Sequence, residues 1–357
     1  MPRDTHDRQG HPPDRRGPGD LPAAVRRPTR WPETRPGEES GLNGPADFSA
    51  PGWLPGGHLQ TLWPLLRKGS PPHYQRERWA TPDGDFIDLD WLRAPETAPL
   101  LVLFHGLEGS SRSHYAISIM RETAARGWGG VVIHFRGCSG EPNHLLRAYH
   151  SGDSEEIDWI LRRLSGMGRP LYAVGVSLGG NALLKWLGER GAAAGDVLGA
   201  AVAVSAPVDL AAGNEALRTG FSRVYTRHFL ATLVPKALQK ARRFPGCLDV
   251  ERIVRSRSLG DFDDAYTAPA HGFSDARDYY RRASAGAYLG GIRVPTLMIN
   301  GLNDPFLPPH ALPNLASLPH AVTLEIPAGG GHVGFVSGGF PGDNGWLAKR
   351  IHSFLPA

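Results

Sequence analysis

Ser177 stands in the stretch Leu171–Arg190, LYAVGVSLGGNALLKWLGER, where an apolar, β-prone segment runs through a glycine-flanked serine into a helical pattern. Gly175-Val176-Ser177-Leu178-Gly179 has the form of a nucleophile elbow: serine at the tip of a sharp strand-to-helix turn, with glycine two residues to either side because a Cβ there would strike neighbouring backbone. The pattern alone decides little, since a chain of this Gly and Ser content contains one by chance about 0.3 times. Its position after a strand and before a helix is what gives it weight.

A serine hydroxyl becomes a useful nucleophile only when an imidazole takes its proton and a carboxylate orients that imidazole. For a serine at such a turn the partners should follow in the order acid, histidine, each in a loop just past a strand. Asp304 in LMINGLNDPF and His332 in LEIPAGGGHVGF have that order and those positions. Asp209, in SAPVDL, also follows a strand and is the alternative acid; its default reading is a helix cap. The developing oxyanion needs two backbone N–H donors. Leu178, the residue after the serine, supplies one at a helix start, and Leu107, in LFHGLEGS, is the candidate for the other, with His105 shaping that loop rather than acting as a base.

These residues need a scaffold that delivers strand ends to one place. The runs PLLVLFHG, GGVVIHFRG, PLYAVGVSLGG, LGAAVAVSAP, VPTLMINGLNDP and AVTLEIP are short, apolar and closed by Gly, Pro, Ser or Asn, as parallel strands buried on both faces are. DFIDLDWL alternates apolar and polar residues and reads as a strand with one wet face. Helical patterns lie between: SHYAISIMRETAARG ending at Gly127, DSEEIDWILRRLSG opening on an Asp153–Glu156 capping box, and NALLKWLGER. The alternation predicts an α/β fold with a mostly parallel sheet of about eight strands and helices on both faces.

Composition bounds the rest. Hydrophobic residues make up 41% of the chain, with nine Trp and thirteen Phe, which is enough for a sizeable core. Residues 1–46 are rich in Pro, Gly, Arg and Asp and read as a disordered tail, leaving a domain over 47–357 whose first segment, DFSAPGWLPGGHLQTLWPLL, should dock as an arm. Roughly 80 residues separate AVAVSAPVDL from VPTLMINGLNDP, far beyond an ordinary loop, and predict an inserted, mainly helical lid over about 210–290. Its run from Arg218 to Arg257 is basic, with Arg223, Arg227, Lys236, Lys240, Arg242 and Arg243 among apolar residues. Such a run reads either as a solvated helix face or as a face for peripheral contact with an anionic membrane.

A net charge of +4 argues against nucleic acid as a partner. The two cysteines, Cys138 and Cys247, are too few for a disulfide framework, so a reduced, cytoplasmic setting is expected, with Cys138 structural. No signal peptide or membrane-spanning run is read. The histidines show no metal-ligand spacing, so neither a metal nor another cofactor is expected; His58, His134, His144 and His150 read as packing or hydrogen-bonding residues.

The blocks GHLQTLWP, DGDFIDLDW, HGLEGS, FRGCSGEPN, RAYHSGDSEEI, GVSLGGNALLKWLGE and DDAYTAPAHGFSDARDYYRRAS, in this order from about Pro51 to the C-terminus, resemble the YheT-like branch (AB hydrolase 4 family) of the α/β-hydrolase superfamily. The resemblance implies a carboxylic ester hydrolase with its charge relay on Ser177, Asp304 and His332, acting on lipid-type or short- to medium-chain acyl esters. The chain departs from the family in one place: Asn303 precedes Asp304 where the family often has a second acid. An acyltransferase using an alcohol at the same site, a peptidase or amidase, and a non-catalytic binding protein that keeps the fold are the alternatives.

Overall fold

The computed structural model describes residues 48–356. The tail expected over residues 1–46 therefore lies outside the described residues. Eight strands form one sheet: β1 (Gln75–Ala80), β2 (Phe86–Leu92), β3 (Leu100–Phe104), β4 (Gly129–His134), β5 (Leu171–Val176), β6 (Ala200–Val204), β7 (Thr296–Ile299) and β8 (Val322–Glu325). Their spatial order is β1-β2-β4-β3-β5-β6-β7-β8, so the serine-bearing β5 lies in the middle. Every pair from β4 to β8 is parallel, while β2 runs antiparallel to both β1 and β4.

The helices are α1 (Gly57–Leu66), α2 (His114–Ala125), α3 (Ser154–Ser165), α4 (Leu178–Arg190), α5 (Leu210–Arg218), α6 (Arg223–Arg243), α7 (Val250–Arg255), α8 (Leu259–Phe262), α9 (Ala268–Ala270), α10 (Ala276–Ala283) and α11 (Trp346–Phe354). One face of the sheet is covered by α3 and α4 through Ile157, Ile160, Leu183 and Leu187, and the other by α2 and α11 through Ile119, Met120, Leu347 and Ile351. β3, β4, β5 and β6 are buried along their whole lengths, which explains their unbroken apolar runs. The parallel sheet matters because it brings the loops after β3, β5, β7 and β8 to the same end.

Two local expectations are corrected. The polar side of DFIDLDWL is not wet: Asp88 and Asp90 are only 2% and 4% exposed, because Arg78 and Arg76 on the neighbouring β1 fold over them at 2.8 and 2.7 Å. β1 itself, QRERWA, lacks apolar alternation and gives no strand signal; pairing with β2 through these arginines makes it one. The Asp153–Glu156 capping box does not form either. Asp153 bonds Arg147 and Glu156 bonds Arg136, at 2.6 Å each, and a charge-assisted bond to guanidinium outcompetes a cap to a backbone amide.

Between β6 and β7 the chain builds α5 to α10. α5 is capped by Asp209, whose carboxylate accepts the Ala212 N–H at 3.0 Å. The basic face expected on α6 is split. Arg223, Arg227, Arg242 and Arg243 are exposed, but Lys240 is buried and donates to the carbonyls of Asn143 and Leu145, and Lys236 reaches Glu108. Among the described residues no helix is long and apolar enough to cross a membrane.

Candidate active site

The sheet ends in a turn at Ser177 that few residues tolerate. Ser177 has φ 52° and ψ −118°, a backbone state that costs on the order of 1–3 kcal/mol and persists only where its surroundings enforce it. The enforcement is visible. Ser177 N–H donates to Val204 O of β6 at 2.8 Å, and its carbonyl accepts from Asn181 N–H in the first turn of α4 at 3.0 Å. A Cβ on Gly175 would lie 2.5 Å from Gly179 O, and one on Gly179 would lie 2.4 Å from Phe104 O, so both flanking positions require glycine. The result is an Oγ held clear of its own strand and helix.

Asp304, His332 and Ser177 are brought together by the loops after β7, β8 and β5. The Ser177 hydroxyl lies 2.9 Å from His332 Nε2, and His332 Nδ1 lies 2.8 Å from Asp304 Oδ2. The second oxygen of Asp304 accepts Phe306 N–H at 2.8 Å, and the carboxylate is closed from solvent. That occupancy sets the tautomer: Asp304 accepts at both oxygens, so His332 carries its proton on Nδ1 and offers the Nε2 lone pair to the serine. Phe306 also stacks on the imidazole, with ring centroids 4.1 Å apart.

The turn after β3, expected to hold the second oxyanion donor, is fixed through the Gly106 carbonyl. Gly106 O accepts from Gly109 N–H at 3.0 Å and from His105 Nδ1 at 2.7 Å. In a planar trans peptide the N–H of Leu107 must point opposite to that carbonyl. Neither Leu107 N–H nor Leu178 N–H donates to a protein acceptor among the described residues, and both residues line the same cavity as Ser177. His105 is fully buried, accepts Phe135 N–H at Nε2, and is pushed down to about 3 by burial; it stays neutral and shapes the loop.

Several residues that hold the site went unassigned at the level of sequence. The docked arm clamps the histidine loop: Thr61 Oγ1 accepts His332 N–H at 2.9 Å, and Gln60 Oε1 accepts Gly330 N–H at 2.5 Å. Asn303 joins them, accepting Gly331 N–H at 2.9 Å while its amide donates to Gln60 at 3.3 Å. An amide suits that place because it must both accept and donate; a carboxylate could only accept. The available signal was a polar Gln60-Thr61 pair among the apolar residues of GHLQTLWP, which shows neither its partner nor its purpose.

Two lookalikes lack the arrangement of the Ser177 group. Ser111, Asp90 and His134 form a second serine–acid–histidine group, but Ser111 and His134 both bond the same Asp90 oxygen, at 2.6 and 2.8 Å, so no imidazole faces the hydroxyl. Burial opposes ionisation of Asp90, yet the bonds from His134, Arg76 and Ser111 outweigh it and hold the carboxyl well below the usual range. Burial pushes the Cys138 thiol up to about 12, which leaves it protonated and unreactive at neutral pH. His58 bonds Tyr225, His144 packs on Phe86, and His150 packs among His271, Phe273 and Tyr279. No group of three or more His, Cys, Asp or Glu residues among the described residues is arranged to hold a metal.

The cavity over Ser177 has a volume of about 440 Å³, within the range of small-molecule sites. Leu107, Leu178, Phe306 and His332 line its floor beside the serine, and Leu217, Phe229, Leu233, Phe262 and Tyr266 of the insertion line its roof.

Comparison with known proteins places this geometry in a family. The family described as alpha/beta hydrolase fold matches residues 99–339. YheT of Escherichia coli is 44% identical over 309 residues, which cover 84% of this chain and 89% of YheT. Phospholipase ABHD3 of Mus musculus is 29% identical over 308 residues, covering 83% of this chain and 74% of that protein. Among solved structures, the esterase EaEST from Exiguobacterium antarcticum superposes with a TM-score of 0.50 at 15% identity, over 78% of this chain and 98% of its own, a likeness of fold. The chain belongs to the α/β-hydrolase fold family and, within it, to the branch that contains YheT.

Proposed function

We propose that this protein is a serine hydrolase that cleaves carboxylic esters, with Ser177 as nucleophile, His332 as general base and acid, Asp304 as the orienting carboxylate, and the Leu107 and Leu178 amides as the oxyanion hole. The observation that carries the reading is the unbroken hydrogen-bonded line from Ser177 Oγ through His332 to a closed Asp304, at the floor of a largely apolar cavity. Membership of a family whose relatives include a phospholipase supports an ester as the substrate.

In the first half-reaction His332 Nε2 takes the Ser177 proton as Oγ attacks the ester carbonyl, and the carbonyl oxygen becomes an oxyanion held by the two amides. The imidazolium is steadied by Asp304, then passes its proton to the departing alcohol as the acyl-enzyme forms. In the second, His332 takes a proton from water, the hydroxide attacks the acyl carbon, and the acid leaves as the proton returns to Ser177. Every step uses residues already in place, and no cofactor enters. The apolar roof contributed by Leu217, Phe229, Leu233 and Phe262 favours a lipid-type or short- to medium-chain acyl group over a polar one.

The test is fluorophosphonate labelling and hydrolysis of p-nitrophenyl esters of increasing chain length, on the parent and on Ser177→Ala. The parent should label and turn over, and the alanine variant should do neither. An alanine variant that labels and hydrolyses like the parent refutes the mechanism.

A further inference from the structure

The Gly106–Gly109 turn that aims the Leu107 amide contains an anomaly. Its third residue, Glu108, has φ 55°, the left-handed region that turns of this kind usually reserve for glycine or asparagine. A glutamate stays there only if something holds it, and its side chain supplies the holding. Glu108 N–H donates to Tyr149 Oη at 2.8 Å, and the same hydroxyl donates to Glu108 Oε1 at 3.0 Å, closing a ring around the residue. The carboxylate is also gripped by Lys236 Nζ, 2.9 Å from Oε1 and 2.8 Å from Oε2. Glu108 and Tyr149 belong to the sheet's own loops, whereas Lys236 belongs to α6, in the insertion that roofs the cavity.

The pair is well placed to matter. The Glu108 side chain is 10% exposed and the Lys236 side chain 45% exposed, so the ammonium reaches from the solvent edge to a carboxylate set in the cavity wall. Cys138, 4.0 Å from Oε1, is a protonated thiol and cannot replace that charge. Lys240, one turn further along α6, fastens the helix to the carbonyls of Asn143 and Leu145, residues apart from the oxyanion turn. Lys236 is thus the basic residue of α6 whose bond reaches the residue next to the oxyanion donor.

We infer that Lys236 is a positioning residue: by clamping the Glu108 carboxylate it holds the Gly106–Gly109 turn in the conformation that points the Leu107 amide toward Ser177, so that the oxyanion hole is complete only while α6 is seated. The inference rests on the ester-hydrolase reading and deepens it, because it makes seating of the roof over a bound acyl chain a condition for stabilising the transition state. Closure of the roof and assembly of the catalytic turn become one event.

The experiment compares Lys236→Met, which keeps the length of the side chain and removes its charge, with Glu108→Gln, Lys236→Arg and the double variant Lys236→Met/Glu108→Gln, on a soluble p-nitrophenyl ester. Loss of one oxyanion donor costs about 10²- to 10³-fold, and a turn that is loosened rather than lost should fall short of that. Lys236→Met should therefore lower kcat by about ten- to hundredfold with KM within about threefold, and Lys236→Arg should recover most of the loss. The double variant should be no worse than either single change, because both break the same bond. The rate of fluorophosphonate labelling at Ser177 should fall in parallel. An unchanged kcat in Lys236→Met, a rise in KM alone, or an equal loss in Lys236→Arg would overturn the positioning role while leaving the hydrolase reading intact. Parent turnover that survives Ser177→Ala would overturn both.

Discussion

Replacing Asp304 by asparagine tests the site at its most constrained atom pair. Both carboxylate oxygens are occupied as acceptors, one by His332 Nδ1–H at 2.8 Å and the other by Phe306 N–H at 2.8 Å, and no solvent reaches them. Asparagine can accept at only one of the two. If its oxygen stays on His332, its NH2 group faces the Phe306 N–H, and an unsatisfied buried donor costs about 1–3 kcal/mol. If it turns over, the NH2 group donates to His332 Nδ1, the ring proton moves to Nε2, and the imidazole no longer offers Ser177 a base. The second arrangement satisfies every hydrogen bond, so it dominates and the competent form is the minor one. Even that form lacks the negative charge that steadied the imidazolium, a charge-assisted bond worth about 1.5–3 kcal/mol. Together the two effects amount to about 2.5–6 kcal/mol, or roughly 10²- to 10⁴-fold in kcat at 1.36 kcal/mol per decade. The assay is kcat on p-nitrophenyl butyrate, with thermal unfolding to check that the variant is folded. Asp209→Asn is the control, since asparagine caps α5 as well as aspartate does. A folded Asp304→Asn that keeps more than about a tenth of parental kcat, or an Asp209→Asn that falls as far, would refute the assignment of the acid.

Two further predictions address the supports. Thr61→Val keeps the shape of the side chain but removes the acceptor for His332 N–H; kcat should drop about five- to thirtyfold while Tm falls only a few degrees, and an unchanged kcat would show that the arm does not hold the histidine. Burial holds His150 down at about 3, so the folded chain refuses a proton that the unfolded chain takes near pH 6.5. Its contribution to stability is full above pH 6.5 and is lost as the pH falls toward 3, about 2 kcal/mol of it by pH 5. His150→Gln, which can still accept the Gly152 N–H, should narrow the difference in urea stability between pH 8 and pH 5 by about that amount, and an unaltered difference would count against it.

The legibility of this protein follows from where each residue finds its partner. Buried parallel strands announce themselves because both faces need apolar groups, and seven of the eight strands could be read that way or by alternation. The order serine, acid, histidine was readable because each lies just past such a strand. β1 was not, because its arginines are satisfied by Asp88 and Asp90 on the next strand, and a polar segment of this kind looks like a loop until its partner is seen. The same distance hid Gln60 and Thr61, which act on residues about 270 positions away in the chain. Lys236 and Lys240 show the same effect from the other side: in sequence they belong to the basic run, and in the fold their ammonium groups meet Glu108 and two backbone carbonyls.

Backbone strain was the least legible feature, and it is concentrated around the proposed triad. Among the described residues the non-glycine positions with positive φ are Glu108, Ser177, Ser205, Val333 and Phe335, at 45° to 62°. All five lie in the loops that leave the carboxyl ends of β3, β5, β6 and β8, at the end of the sheet where Ser177, Asp304 and His332 meet. Glycine would adopt these angles without penalty, so apart from Ser177, whose flanking glycines announce a sharp turn, the sequence marks none of them. Three of the five have side chains that bond: Ser177 to His332, Glu108 to Lys236 and Tyr149, and Ser205 Oγ to the Val333 N–H beside the histidine, while Val333 and Phe335 are held by burial in the core. The strain and the bonds that hold it are coupled, since releasing one hydroxyl or carboxylate frees a backbone already inclined to move. A scaffold arranged this way is held by packing along its buried strands and by individual side-chain bonds at their ends, around the proposed site.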